Sequence, residues 1–125
     1  MKTSSFEDLI VWQQAHTFVL KVYTTTSCFP KEELFCLTSQ LRRAAVSVAA
    51  NIAEEYRKTG IKDKLRFYNI SEGSLDECRY YIILSRDLGY VDSAVYLEFH
   101  ELITSVSKLL MAYSKGLKNN LNNKE

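Results

Sequence analysis

Chain breakers are scarce in this sequence: 125 residues hold four glycines and one proline. A β-sandwich or barrel turns about every 8–12 residues, and its turns draw on Gly, Pro, Asn and Asp. Such a fold could not be built from so few breakers. A phosphate-cradling loop of the Rossmann or P-loop kind needs clustered glycines, whereas Gly60, Gly73, Gly89 and Gly116 stand far apart. What remains is an all-α chain with few connections, at the length of one domain.

Apolar periodicity divides the chain into four helical blocks. The first spans about 7–26, opened by a Ser5/Asp8 cap and striped by Val11, Ala15, Phe18, Val22 and Thr26. Thr24–Ser27 and Pro30 end it. The second spans about 33–58, with Leu34, Leu37, Leu41, Ala44, Val48, Ile52 and Tyr56 on its core face and Gly60 as the expected C-cap. The third runs from about 62 to 88 and stops at Gly89. The fourth runs from about 92 to 117, striped by Phe99, Leu102, Val106, Leu109, Tyr113 and Leu117 and broadened by Ile103 and Leu110. Short connections between long helices predict an antiparallel up-down-up-down four-helix bundle. Residues 1–117 form the expected domain, and 118–125 a polar, flexible tail.

The third helix breaks the pattern. Leu65, Phe67, Tyr68, Ile70, Leu75, Cys78, Tyr80, Tyr81, Ile82, Ile83 and Leu84 point almost all round the helical wheel. A helix that is apolar on every side is covered on more than one. A second copy of the chain is the economical cover, with Phe67, Tyr68, Gly73, Tyr80, Tyr81 and Ile83 as the candidate subunit interface. Gly73 costs about 1 kcal/mol inside a helix relative to Ala, and a close helix–helix approach would offset that cost.

The second helix also carries a polar stripe beside its apolar face: Gln40, Arg43, Ser47, Asn51, Glu54 and Lys58. With Arg42, and with Ser74 and Glu77 of the third helix, these groups predict a hydrogen-bonded network, because an unpaired polar group at a core edge is costly. Arg42 or Arg43 would pair with Glu54 or Glu77, within or between subunits. A ligand-binding or catalytic role for the stripe is the alternative reading.

No catalytic constellation appears. Neither His16 nor His100 has a Glu three residues before it, as a di-iron bundle requires. No paired-His zinc spacing occurs, no Arg precedes a His by four to six residues as in helical-bundle ribonucleases, and no nucleophile elbow is present. The expectation is a non-enzyme with no cofactor, metal or small-molecule substrate. Cys28, Cys36 and Cys78 are odd in number and lack a C-x-x-C pair, which fits reduced thiols in the cytoplasm. Cys78 reads as a small buried hydrophobe. No signal-peptide pattern opens the chain, and no run of about 18 apolar residues predicts a membrane span.

The net charge is only +1, whereas nucleic-acid binders usually carry a clear basic excess. Yet five of the ten residues 57–66 are basic: Arg57, Lys58, Lys62, Lys64 and Arg66. This turn is either a candidate nucleic-acid contact or a solvated corner balanced by Glu54 and Glu55.

Several segments carry a family resemblance. Phe6–Gln13, Phe29–Glu33, Leu37–Ser47, Asn51–Glu54, Gly73–Glu77 and Asp87–Tyr90 together resemble, in order, the four-helix bundle family of proteins encoded in 23S rRNA intervening sequences. Two positions depart from its pattern: Ala49 stands where the family often has Pro, and Glu55 where it usually has Gly. Both changes favour a more regular second helix. The resemblance implies a bundle that assembles into a ring-shaped homopentamer, and it implies no activity. A group similar in fold, the accessory variability determinants of diversity-generating retroelements, partners a reverse transcriptase and binds nucleic acid. That implies RNA or DNA as the second candidate partner.

Overall fold

The computed structural model describes residues 4–124. Met1–Thr3 and Glu125 lie outside the described residues, and with them part of the N-terminal targeting reading and the last residue of the expected tail. Four α-helices follow one another: α1 (Ile10–Thr26), α2 (Leu37–Arg57), α3 (Ile61–Asp87) and α4 (Ser93–Lys124), with 3-10 turns at Phe6–Asp8 and Lys31–Glu33. No strand occurs among the described residues. Cross-helix pairs establish the directions. Lys21 meets Glu98 and Gln14 meets Ser105, so α1 and α4 are antiparallel. Arg43 meets Glu77 while Glu55 meets Lys64, so α2 and α3 are antiparallel too.

The helix ends follow local chemistry. Ser5 and Asp8 form a reciprocal capping box, as expected, but it caps the 3-10 turn rather than α1. Asp8 also accepts from Ser4 N at 2.8 Å and Ser4 Oγ at 2.9 Å. Those bonds from Ser4, with one from Ser5 N, hold its carboxyl below the usual range. Leu9 is extended and starts the helix late. This turn lays Phe6 edge-on against Trp12, with ring centroids 5.1 Å apart.

α2 likewise begins at Leu37 rather than near Glu33. After Pro30, successive i→i+3 bonds wind a 3-10 turn, with Glu33 N on Pro30 O at 2.9 Å. Cys36 then leaves helical geometry at φ −122°, ψ −107°. Leu34 is therefore not a core residue of α2; it is 48% exposed. The expected C-cap role of Gly60 is also corrected. Lys58 already turns the chain out of α2, and Gly60, extended at φ −82°, opens α3 instead. Gly89 does act as foreseen. Its φ of +79° is the left-handed conformation of a helix stop. Gly89 N bonds Arg86 O at 3.0 Å and Tyr90 N bonds Ser85 O at 2.9 Å, the Schellman pattern.

The core is one large cluster through the four helices, with a smaller one of Phe29, Leu37 and Val91. Every residue of the α1 stripe is buried, and Phe18 meets Phe99 edge-on at 5.9 Å. On α2, Leu41, Ala44, Val48 and Ile52 are fully buried. The α4 line differs from the expected one. Phe99, Ile103, Val106 and Leu110 form the buried line, Leu102, Leu109 and Leu117 flank it, and Tyr113 is 38% exposed. α4 also continues past Leu117 to Lys124, through most of the stretch expected to be a tail. No Gly or Pro interrupts residues 117–124, and Leu117 and Leu121 keep the four-residue spacing.

Candidate functional site

The α2–α3 seam holds nearly all the polar residues singled out in the sequence, and explains the odd third helix. Three serines of α3, Ser71, Ser74 and Ser85, are buried while Ile70 and Tyr80 stay exposed. Ser71 Oγ donates to Val48 O at 2.9 Å, and Ser74 Oγ shares a hydrogen bond with Ser47 Oγ at 2.8 Å. Small hydroxylated side chains sit where α2 presents Ala44, Ala45 and Val48. Apolar residues on the wheel are thereby displaced outward, and this helix looks apolar all round without being buried all round.

Hydrogen bonds link these residues in two groups. In the first, Arg43 donates to Gln40 Oε1 at 3.1 Å and to Glu77 Oε2 at 2.7 Å, while Tyr81 OH donates to the same carboxylate at 3.4 Å. The hydrogen bond and charge of Glu77 push the Arg43 guanidinium above its ordinary value. In the second, Asn51 Nδ2 donates to Ser47 O at 2.8 Å and to Ser47 Oγ at 3.1 Å. Two residues fall elsewhere. Arg42 turns to α1, donating to Thr26 Oγ1 at 2.8 Å with its guanidinium 4.6 Å from the centre of the Tyr23 ring. Glu54 pairs only loosely with Lys58, at 3.9 Å, one turn along α2.

The five basic residues divide as well. Lys64 is committed to the protein: its ammonium donates to Glu55 Oε1 at 3.0 Å and to the Glu55 carbonyl at 3.2 Å. Lys58 and Arg66 both lie over the Phe67 ring, at 5.1 and 4.8 Å, and Arg66 pairs with Asp63 at 3.6 Å. Arg57 and Lys62 are exposed and have no ion pair among the described residues.

Of the candidate interface residues, Tyr68 belongs to the protomer's own core at 2% exposure. Its ring stacks on Tyr113 at 6.1 Å, and burial, reinforced by the Glu55 carboxylate it bonds, pushes its hydroxyl pKa up. Phe67, Tyr81 and Ile83 are half-buried, and Tyr80 is 58% exposed. Gly73 is exposed, and a Cβ built on it meets nothing within 4 Å. The close approach inside the protomer is made by the serines instead.

Glu55 is the functional-looking residue that sequence reasoning passed over. It is 5% exposed, yet it carries a carboxylate held by Lys64 and Tyr68. The available signal was its departure from the family pattern. α2 runs unbroken through both departures, Ala49 and Glu55, as the resemblance led one to expect.

A groove of about 310 Å³ on α4 is lined by His100, Glu101, Thr104, Ser105 and Lys108, and the Ser105 hydroxyl in it donates to Gln14. One groove of about 480 Å³ is lined by Leu109, Ala112, Tyr113, Gly116, Leu117 and Asn120, away from the Arg43–Glu77 pair. Among the described residues, no group of three or more His, Cys, Asp or Glu could hold a metal ion. Cys78 is fully buried, and burial pushes its thiol up to about 12, with the charge of Glu77 adding to the shift. It is unreactive at neutral pH. No helix among the described residues is long and apolar enough to cross a membrane.

The family model for the 23S rRNA-intervening sequence protein matches residues 7–112. The chain belongs to that family. Among curated proteins none matches it. A solved structure from Bacteroides thetaiotaomicron VPI-5482, described as a protein of unknown function from the S23 ribosomal protein family, shares the fold. Its TM-score is 0.78 at 21% identity, over 85% of this chain and 96% of that one. The intervening-sequence family assignment thus accounts for the bundle and leaves its biochemical role to be argued from the surface.

Proposed function

We propose that this intervening-sequence family member is a non-enzymatic, cytoplasmic, homo-oligomeric scaffold or adaptor, assembling as a ring of five. One observation carries the reading. Gly73 sits exposed at the middle of α3, between exposed Ile70 and Tyr80, and nothing in the protomer fills the space above it. A mid-helix glycine is unfavourable by about 1 kcal/mol. An approaching neighbour would give that space a use. Sedimentation equilibrium tests the reading: the expected result is a species five times the 14.4 kDa chain mass. A protein that stays monomeric throughout the micromolar range refutes it.

A second reading is a nucleic-acid-binding ring that assists an enzyme such as a reverse transcriptase. Arg57 and Lys62, exposed and without ion pairs among the described residues, favour it, with Lys58 and Arg66 braced nearby on Phe67. A ring would repeat this corner once per subunit, and multivalency would add up weak phosphate contacts. Fluorescence anisotropy with labelled RNA and DNA oligonucleotides tests it. Affinity should fall steeply with salt, and the paired reversals Arg57→Glu and Lys62→Glu should abolish it. Lys64 is unsuitable for reversal because it holds Glu55. No binding at low salt ends this reading.

A further inference from the structure

The face of α4 that meets α1 runs on beyond the start of α1. Lys21 lies opposite Glu98, and Gln14 opposite Ser105, in one constant register. At that register Ile10, the first residue of α1, falls level with Leu109. α4 continues to Lys124. The 3-10 turn ahead of α1 leans on α1 and α2 and not on α4. Past Leu109, the same face of α4 carries Ala112, Gly116 and Asn120 at three- and four-residue steps. With Tyr113 and Leu117 these residues line the groove of about 480 Å³. From Leu109 to Asn120 is about three helical turns, or roughly 16 Å. The groove is therefore a helix-sized slot that no helix among the described residues fills.

We propose that this slot takes an amphipathic helix of another protein, one whose flanks carry Asp or Glu. The inference rests on the adaptor reading above and names the kind of partner; it does not depend on the number of subunits. Shape supports a helix. Ala112 and Gly116 present little or no side chain, and a Cβ added to Gly116 meets nothing within 4 Å, so a second backbone can come close. Leu109, Tyr113 and Leu117 offer apolar surface to the ridge of an incoming helix. Charge supports an acidic partner. Residues 102–124 contain four lysines and no Asp or Glu. Lys108, Lys115 and Lys118 are exposed and have no ion pair among the described residues. Lys108 and Lys115, two turns apart, follow the solvent edge of the slot. The nearest acids do not offset them: Glu98 and Glu101 stop short of it alongside α1, and Glu72 of α3 is engaged with Ser114. The same charges count against a second copy packing face to face, which would set lysines against lysines.

Fluorescence anisotropy tests the proposal with a fluorescein-labelled synthetic helix of about 14 residues, bearing Leu and Ala along one stripe and Glu on both flanks. A second peptide carries Lys in place of each Glu. The expected result is saturable binding of the acidic peptide to the wild type at low salt, and none of the basic one. Lys108→Glu together with Lys115→Glu should weaken the acidic peptide by about tenfold or more and admit the basic one. Ala112→Arg, which fills the slot and keeps every lysine, should weaken the acidic peptide as strongly. All three positions are exposed, so the far-UV spectrum and Tm of the variants should stay at wild-type values. Wild type that ignores the acidic peptide overturns the inference. Equal binding by the Ala112→Arg variant also overturns it, because the lysines would then be attracting any polyanion, an RNA strand or an anionic vesicle included. Self-association that is lost in Ala112→Arg would give the slot to a second copy and counts against it too. Sedimentation equilibrium separates the two readings. A ring that forms without binding the peptide sinks only the acidic partner, and a monomer that binds the peptide sinks only the ring.

Discussion

Removing the Glu55 carboxylate should unfasten the end of the α2–α3 seam. Glu55 is 5% exposed, and its carboxylate serves the Lys64 ammonium at 3.0 Å and the Tyr68 hydroxyl. In Glu55→Ala the Tyr68 hydroxyl, on a residue only 2% exposed, loses its acceptor, which costs about 1–3 kcal/mol. Lys64 loses its counter-charge, but its side chain is 23% exposed, so water takes over part of the solvation. Its share is nearer 1 kcal/mol than the 3–5 kcal/mol of a fully buried broken pair, giving about 3 kcal/mol in all. Lys64→Ala should cost more, toward the upper end of that range, because it leaves the better-buried charge unpaired. Glu55→Gln, which keeps an acceptor for Tyr68, should cost less. Urea unfolding of dilute protein at neutral pH measures each difference at constant slope. The Glu55→Ala/Lys64→Ala double variant should fall short of the sum of the singles by at least about 1 kcal/mol. Strict additivity, or a Glu55→Ala cost below about 1 kcal/mol, would refute the argument.

Three further outcomes follow from the same geometry. Gly73→Ala should stabilise the dilute protomer by about 0.5–1 kcal/mol, because its added methyl meets nothing; a lowered Tm would contradict this. Folding holds the Cys78 proton more tightly, moving the thiol from 9.0 to about 12. That contribution is complete below pH 9 and is lost as pH rises toward 12, by about 1.4 kcal/mol per unit. The unfolding free energy should thus fall less steeply between pH 9 and 11 in Cys78→Ala than in wild type, and equal slopes would rule out the assignment. Arg43→Ala should cost less than about 1 kcal/mol in chemical denaturation, because the Arg43 and Glu77 side chains are 53% and 43% exposed and water screens the pair.

How much was legible in the residues depended on range. Shortage of Gly and Pro pointed to helices, and the α1 stripe Val11–Thr26 is buried residue for residue, because a helix face is defined by spacing alone. Gly89 was readable for a similar reason: a stop at the end of an apolar run needs a positive φ that glycine accepts. Gly60 has the same chemistry but sits one step later, where extended Lys58 had already ended α2, and no local signal separates the two cases. The candidate network was legible as a stripe, yet its partners were not. Arg42 and Arg43 are adjacent in sequence and point about 100° apart on a helix, so one reaches α1 and the other α3.

Spacing along the chain was therefore enough to establish four helices and the buried line of α1, while the family was legible in motifs rather than in spacing. Long-range packing decided the rest. It drew Ser71 and Ser74 of α3 inward against Val48 and Ser47 of α2, while Ile70 and Tyr80 stay outside. It buried Glu55 by setting Lys64 and Tyr68 beside it. Each outcome depends on which two helices touch and at what register, and periodicity within one helix carries no information about its neighbour.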